Sequence, residues 1–146
     1  MPKNDYWKLS AYESAKLIKD GSILVEDLVS SCIERVNQTN NKINAIVDDL
    51  SASALEKAHE LDKLTKKGKF KGPLHGVPIT IKENIDQKGY ATPNGLESLK
   101  NLIAPGNAPV VDNLEKDGAI VIGRTNTPEF SMRAVSYTHL TLPTKD

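Results

Sequence analysis

The sequence is poor in cysteine and has no long apolar run. Cys32 is the only cysteine in 146 residues, so no disulfide can form within the chain, and a reducing compartment is expected. No stretch approaches the roughly 20 apolar residues of a membrane span, and the N-terminus lacks the apolar core of a signal peptide. We therefore expect a cytoplasmic protein with no membrane partner.

The chain also lacks an excess of charge and a cluster of metal ligands. Nineteen basic residues balance nineteen acidic ones, which gives no long-range field to attract nucleic acid. The histidines are scattered at positions 59, 75 and 139, and no glycine-rich phosphate loop opens a helix. We expect no nucleic acid, metal or other cofactor. A lone His75 in a tight loop is interpreted as a packing or turn residue, not as a general base.

Helical patterns dominate the first third of the chain. Ser10 and Glu13 have the spacing of a capping box, which predicts a helix that ends near Gly21. Apolar residues at helical spacing predict a second helix, and these are Val25, Leu28, Val29, Cys32, Ile33 and Val36. An asparagine-rich turn is expected to follow at residues 37–41.

A short strand and a third helix are predicted next. Residues 45–47 are apolar and favour a strand. Ser51 is then expected to cap a helix that ends at Gly68.

The pattern changes after Gly72. Val77, Ile79 and Ile81 alternate with Pro78, Thr80 and Lys82, which predicts a strand with Lys82 on the face opposite the apolar side chains. Residues 83–107 show no strong periodicity and predict a long loop that is either functional or disordered. A helix begun by Pro109 and an apolar strand at residues 119–123 complete a strand–loop–helix–strand unit. The whole predicts an α/β fold.

Several motifs resemble those of the amidase signature family. Residues 76–85, GVPITIKENI, are similar to the segment that carries the catalytic lysine in that family. Further matches occur in the same order: Gly89 and Thr92, then APVV at residues 108–111, GAIVIGRTN at residues 118–126, and Glu129 with Phe130. The resemblance implies N-terminal helices followed by the start of a mixed-sheet α/β/α fold, with Lys82 as the catalytic residue.

The resemblance also implies a mechanism. In the family a serine attacks an amide carbonyl, a second serine with a cis peptide relays protons, and an unprotonated lysine is the base. Thr80 shares a strand face with Lys82 and is a candidate neighbour, whereas Glu83 is expected to be a surface charge. Asn126 and Thr127 are interpreted as caps of a short helix near Pro128, with a role in the cleft as the alternative.

In the family the two catalytic serines lie in a loop rich in glycine and serine, and this loop has no counterpart in this sequence. Ser131 and Ser136 lack glycine neighbours, so neither is assigned as nucleophile, and the chain by itself is expected to be inactive. Residues 1–133 are interpreted as the N-terminal part of an amidase-signature domain. Residues 134–146 include VSYTHLTLPT, which resembles the translation of a sequencing adapter, and are expected to be non-native.

The favoured function is hydrolysis of small carboxylic amides by the full-length protein. One alternative is the related A subunit of an amidotransferase that amidates tRNA-linked glutamate or aspartate, which would work with partner proteins. Another is a non-catalytic interaction module that uses the N-terminal helices. The particular amide and the oligomeric state stay open.

Overall fold

The computed structural model describes residues 3–132, which form helices packed on both faces of a small sheet. The main elements in chain order are α1 (Ala11–Lys19), α2 (Val25–Ile43), β1 (Ile46–Asp49), α3 (Ser51–Thr65), β2 (Pro78–Lys82), α4 (Pro109–Lys116) and β3 (Ile120–Thr125). Short 3₁₀ turns lie at Lys3–Lys8, Glu97–Leu99 and Glu129–Ser131. The predicted non-native tail, residues 134–146, lies outside the described residues.

The three strands form a mixed sheet in the order β1-β3-β2. β2 is parallel to β3, and Lys82 is paired with Thr125 where both strands end. β1 is antiparallel to β3 and pairs Asp48 with Arg124. The parallel pair is joined through α4, as the strand–loop–helix–strand pattern predicted, and the α/β prediction is confirmed.

β3 is covered on both faces, which explains its uninterrupted apolar sequence. Ile120 and Ile122 belong to one core with the buried residues of α2 and α3. Val121 belongs to a second core with Ile81 of β2 and Val111 of α4. Burial on alternate sides of one strand therefore fixes the two helical layers around the sheet.

Two predictions around β1 are wrong, and in both places a polar side chain bonds to nearby backbone. The asparagine-rich segment is not a turn, since α2 continues to Ile43 and ends at Asn44 in the left-handed conformation, with φ 46°. The Asn40 amide instead bonds to both backbone groups of Ile46, at 2.8 Å each. Ser51 does not cap α3, because its N–H donates to the Asp49 carboxylate at 2.8 Å.

The start of α2 is capped by a residue far away in the sequence. Leu24 is the N-cap residue and offers no side-chain oxygen. Asp62 of α3 supplies two, because the N–H groups of Val25 and Glu26 donate to its carboxylate oxygens at 2.8 and 3.0 Å. Asp62 is only 5% exposed, so this cap also ties α2 to α3 inside the fold.

We predict that D62A destabilises the protein by about 2 kcal/mol, because two buried N–H groups lose their acceptor. D62N should lose less stability than D62A, since the asparagine amide keeps one acceptor oxygen. D49A, which removes a carboxylate that accepts one exposed backbone N–H, is the matched control and should cost less stability than D62A. Chemical denaturation measures all three. Equal losses for D62A and D49A would contradict the role given to Asp62.

His75 is a buried packing residue, as the sequence indicated. It is 3% exposed, and its Nδ1 accepts a hydrogen bond from the Lys71 N–H at 3.0 Å. Its Nε2 lies 2.9 Å from the Thr65 hydroxyl, which itself donates to the Leu61 carbonyl. Nε2 must therefore be the donor, and the imidazole is neutral in this network. Burial lowers the pKa of His75 below its ordinary value.

This lowered pKa predicts a loss of stability in weak acid. Below about pH 6.5 the unfolded chain binds a proton at this histidine before the folded protein does, so the free energy of unfolding falls as the pH falls. H75N keeps an acceptor for Lys71 but does not titrate. Denaturation at pH 7.5 and 5.5 should show a smaller pH dependence for H75N than for wild type. A wild-type slope in H75N would refute the assignment.

Candidate active site

Lys82 is the last residue of β2 and lies at the carboxyl edge of the parallel strand pair, where sites gather in α/β folds. It is half-buried, whereas the preceding Ile81 is buried in the second core. Within residues 3–132 its ammonium group forms no hydrogen bond or ion pair. Thr80, the predicted hydroxyl neighbour, is exposed and does not bond to Lys82 in the same part of the chain. The amine is thus free to meet a further group.

The backbone that follows Lys82 folds back over the end of the sheet. The Glu83 N–H donates to the Thr125 carbonyl at 2.9 Å and so extends the β2–β3 ladder by one bond. The Ile85 N–H closes a turn onto the Lys82 carbonyl at 2.9 Å. Later in the loop, an isolated bridge pairs Ala91 with Ile103. The predicted long loop is therefore ordered by backbone hydrogen bonds.

Arg124 lies beneath this loop and is completely buried. One terminal nitrogen donates to the Asp48 carboxylate of β1 at 3.1 Å and to the Ala91 carbonyl. The other donates to the carbonyls of Glu83 and Ile85, at 3.1 and 3.3 Å. The sequence placed Arg124 only within a motif, and the one signal was its position directly after the apolar run at residues 119–123.

Tyr90 and Glu83 add to the surroundings of this guanidinium. The Tyr90 ring centre lies 5.7 Å from its central carbon. Glu83 is half-buried and so is not a plain surface charge. Burial raises the pKa of the Glu83 carboxyl above its ordinary value, and attraction to Arg124 partly offsets that rise.

Three polar side chains meet beyond the strand ends. The Asn84 amide donates to the Ser131 hydroxyl at 2.8 Å, and the Ser131 hydroxyl lies 2.9 Å from that of Thr127. The prediction that Asn126 or Thr127 caps the short helix is wrong, because Pro128 is its N-cap residue and no side chain within residues 3–132 caps it. Thr127 instead contacts Ser131 within the segment after β3, and Ser131 connects that segment to Asn84 in the loop after β2.

The loop and the segment after β3 also touch through their backbones. The Phe130 N–H donates to the Asn94 carbonyl at 2.8 Å. Gly95 has φ +74°, and a Cβ there would lie 2.7 Å from the backbone of Glu129. Only glycine permits both the positive φ and this close approach.

A cavity of about 670 Å³ lies beside α1, away from the strand ends. It is lined by Tyr12, Phe70 and His75 among others, but by none of the strand-end residues described above. Among residues 3–132, no group of three or more His, Cys, Asp or Glu side chains could hold a metal ion. Over the same residues, no helix is both long and apolar enough to cross a membrane.

Comparison with known proteins shows the family to which the chain belongs. Residues 27–146 match the family model described as Amidase, so the chain belongs to the amidase family. An indoleacetamide hydrolase of Bradyrhizobium diazoefficiens is 51% identical over 132 residues, which cover 90% of this chain and 25% of the relative. The A subunit of the glutamyl-tRNA(Gln) amidotransferase of Dehalococcoides mccartyi is 37% identical over 128 residues, 88% of this chain and 26% of that protein. The chain thus spans about a quarter of these relatives.

Solved structures agree with this assignment. A fatty acid amide hydrolase superposes with a TM-score of 0.83 at 31% identity, covering 88% of this chain and 23% of that protein. A bacterial aryl acylamidase of the amidase signature family superposes with a TM-score of 0.74 at 28% identity, over 84% of this chain and 26% of that protein. The helices and mixed sheet are therefore the arrangement found in that part of amidase-signature enzymes.

Proposed function

We propose that this chain supplies the catalytic lysine of an amidase that hydrolyses small carboxylic amides. The observation that carries the proposal is the position of Lys82 at the carboxyl edge of two parallel strands, in a chain that belongs to the amidase family. In the proposed reaction a serine oxygen adds to the amide carbonyl, and its proton passes through a second serine to the Lys82 amine. The amine of the substrate leaves with a proton, and water then releases the acid and regenerates the serine.

The two serines of this mechanism belong, in our proposal, to sequence beyond the 133 residues that resemble the family. Ser131 is not a substitute, because its hydroxyl is engaged by Asn84 and Thr127 and not by a base. A nucleophilic serine needs a base within hydrogen-bond reach. The amidase activity is therefore proposed for the longer protein and not for this chain alone.

An aryl-substituted acetamide is the substrate that we propose testing first. The support is the 51% identity with a protein named for the hydrolysis of indoleacetamide. The same comparison favours a free-standing amidase, since the amidotransferase relative quoted above is 37% identical. Indoleacetamide, benzamide and a long-chain fatty amide would distinguish the substrate classes in one assay.

We predict that K82A in the longer protein lowers kcat by about 10²–10⁴-fold, because the reaction loses its general base. Steady-state hydrolysis of indoleacetamide, followed by release of ammonia, measures the effect. K63A is the matched control, since Lys63 is an exposed lysine on α3, and it should leave kcat unchanged. Activity of K82A within threefold of wild type would exclude Lys82 as the base.

We also propose that residues 134–146 are not native. The support is the resemblance of residues 135–144 to a translated adapter; the family match runs to residue 146 and does not mark a boundary there. Amplification of the locus from source DNA should read past codon 133 into a segment rich in glycine and serine. A genuine stop codon directly after Asp146 would disprove this proposal.

A further inference from the structure

We propose that Arg124 is a positioning residue for amide hydrolysis: its buried guanidinium holds the backbone that follows Lys82 in the conformation that the reaction needs. The proposal rests on the function assigned to Lys82 above. It concerns a residue that does not touch the reacting atoms but acts through the chain that carries them.

Arg124 donates hydrogen bonds to four groups, and most of them belong to the loop after Lys82. Four of its five N–H groups donate, and three of the four acceptors are backbone carbonyls of the loop, at Glu83, Ile85 and Ala91. The fourth acceptor is the Asp48 carboxylate on the far edge strand. One side chain thus connects both ends of the segment 83–91 to β1.

Two of these carbonyls, at Glu83 and Ile85, belong to residues that adjoin Lys82 or bond to its backbone. Glu83 is its direct neighbour, and the Ile85 N–H bonds to the carbonyl of Lys82 itself. β2 has five residues and ends at Lys82, and within residues 3–132 the ladder continues beyond it only through the Glu83–Thr125 bond. Without Arg124 the two carbonyls would lose their donors. The segment directly after Lys82 would then be tied to the rest of the fold by fewer bonds, among them those from Glu83 to Thr125 and from Asn84 to Ser131.

A guanidinium can reach all four acceptors, whereas an ammonium group cannot. The donors of arginine are fixed in a planar fork, whereas the three donors of lysine diverge from one nitrogen. The four acceptors surround two different nitrogens of Arg124, two at each. A lysine at this position keeps the charge but reaches fewer of these acceptors, so R124K separates charge from geometry.

The test uses the longer protein, with indoleacetamide as substrate. R124K should lower kcat by about 10- to 100-fold, as expected for a small misplacement of a catalytic group, while KM changes by less than about threefold. R35K is the matched control and should leave kcat unchanged. Arg35 belongs to α2, and its guanidinium carbon lies 4.5 Å from the centre of the Trp7 ring. D62N controls for stability: it weakens the fold far from the strand ends and should not change kcat.

Hydrogen exchange provides a readout that does not depend on activity. A peptide covering residues 83–92 should exchange at least about tenfold faster in R124K than in wild type, whereas one covering α1 should not change. If the wild-type protein hydrolyses none of the amides, the proposed function fails, and this exchange experiment still decides whether Arg124 holds the loop.

D48N keeps the test decisive if R124K does not fold. D48N keeps an acceptor oxygen but removes the charge, which weakens the bond that draws the guanidinium toward β1. A smaller fall in kcat, about threefold, should therefore accompany faster exchange of residues 83–92. Normal kcat and normal exchange in R124K, or in D48N where R124K is unfolded, would overturn the proposal. The proposal would also be overturned if D62N lowered kcat as much as R124K does while both variants lost the same amount of stability.

Discussion

The guanidinium of Arg124 has no exposed surface, so its charge and its donors must be satisfied inside the fold. Burial of such a charge costs several kcal/mol unless it is paired and hydrogen-bonded. Asp48 supplies the counter-charge, and carbonyls of the loop supply the remaining acceptors of the two terminal nitrogens, whereas Nε has no partner within residues 3–132. Because the same guanidinium bonds to β1 and to the loop, it couples the conformation of the loop to the sheet.

This constraint determines what the strand ends can do. Lys82 and Thr125 end a parallel pair, and the loop after β2 and the segment after β3 meet above them through Asn84, Thr127 and Ser131. These bonds fix the backbone on both sides of the Lys82 amine. The role that we propose for this amine rests on membership in the amidase family, and the bonds explain how the backbone that carries it is positioned.

Local patterns predicted most elements but not the bonds that organise them. The Ser10–Glu13 capping box is present, and the alternation before Lys82 and the apolar run of β3 both form strands, because each depends on neighbouring residues only. The cap of α2 by Asp62 could not be predicted, since its partners lie 36 and 37 residues away. Arg124 was missed for the same reason, because its acceptors are 33 to 76 residues distant. The prediction that Lys82 is catalytic came from its motif and not from its spacing.

The most direct test of the account is a crystal structure of the longer protein. We expect the bonds from Arg124 to the carbonyls of Glu83, Ile85 and Ala91 to persist, and the Lys82 amine to lie about 3 Å from a serine hydroxyl supplied by downstream sequence. A Lys82 amine directed to solvent with no serine within hydrogen-bond reach, or a loop detached from Arg124, would contradict it.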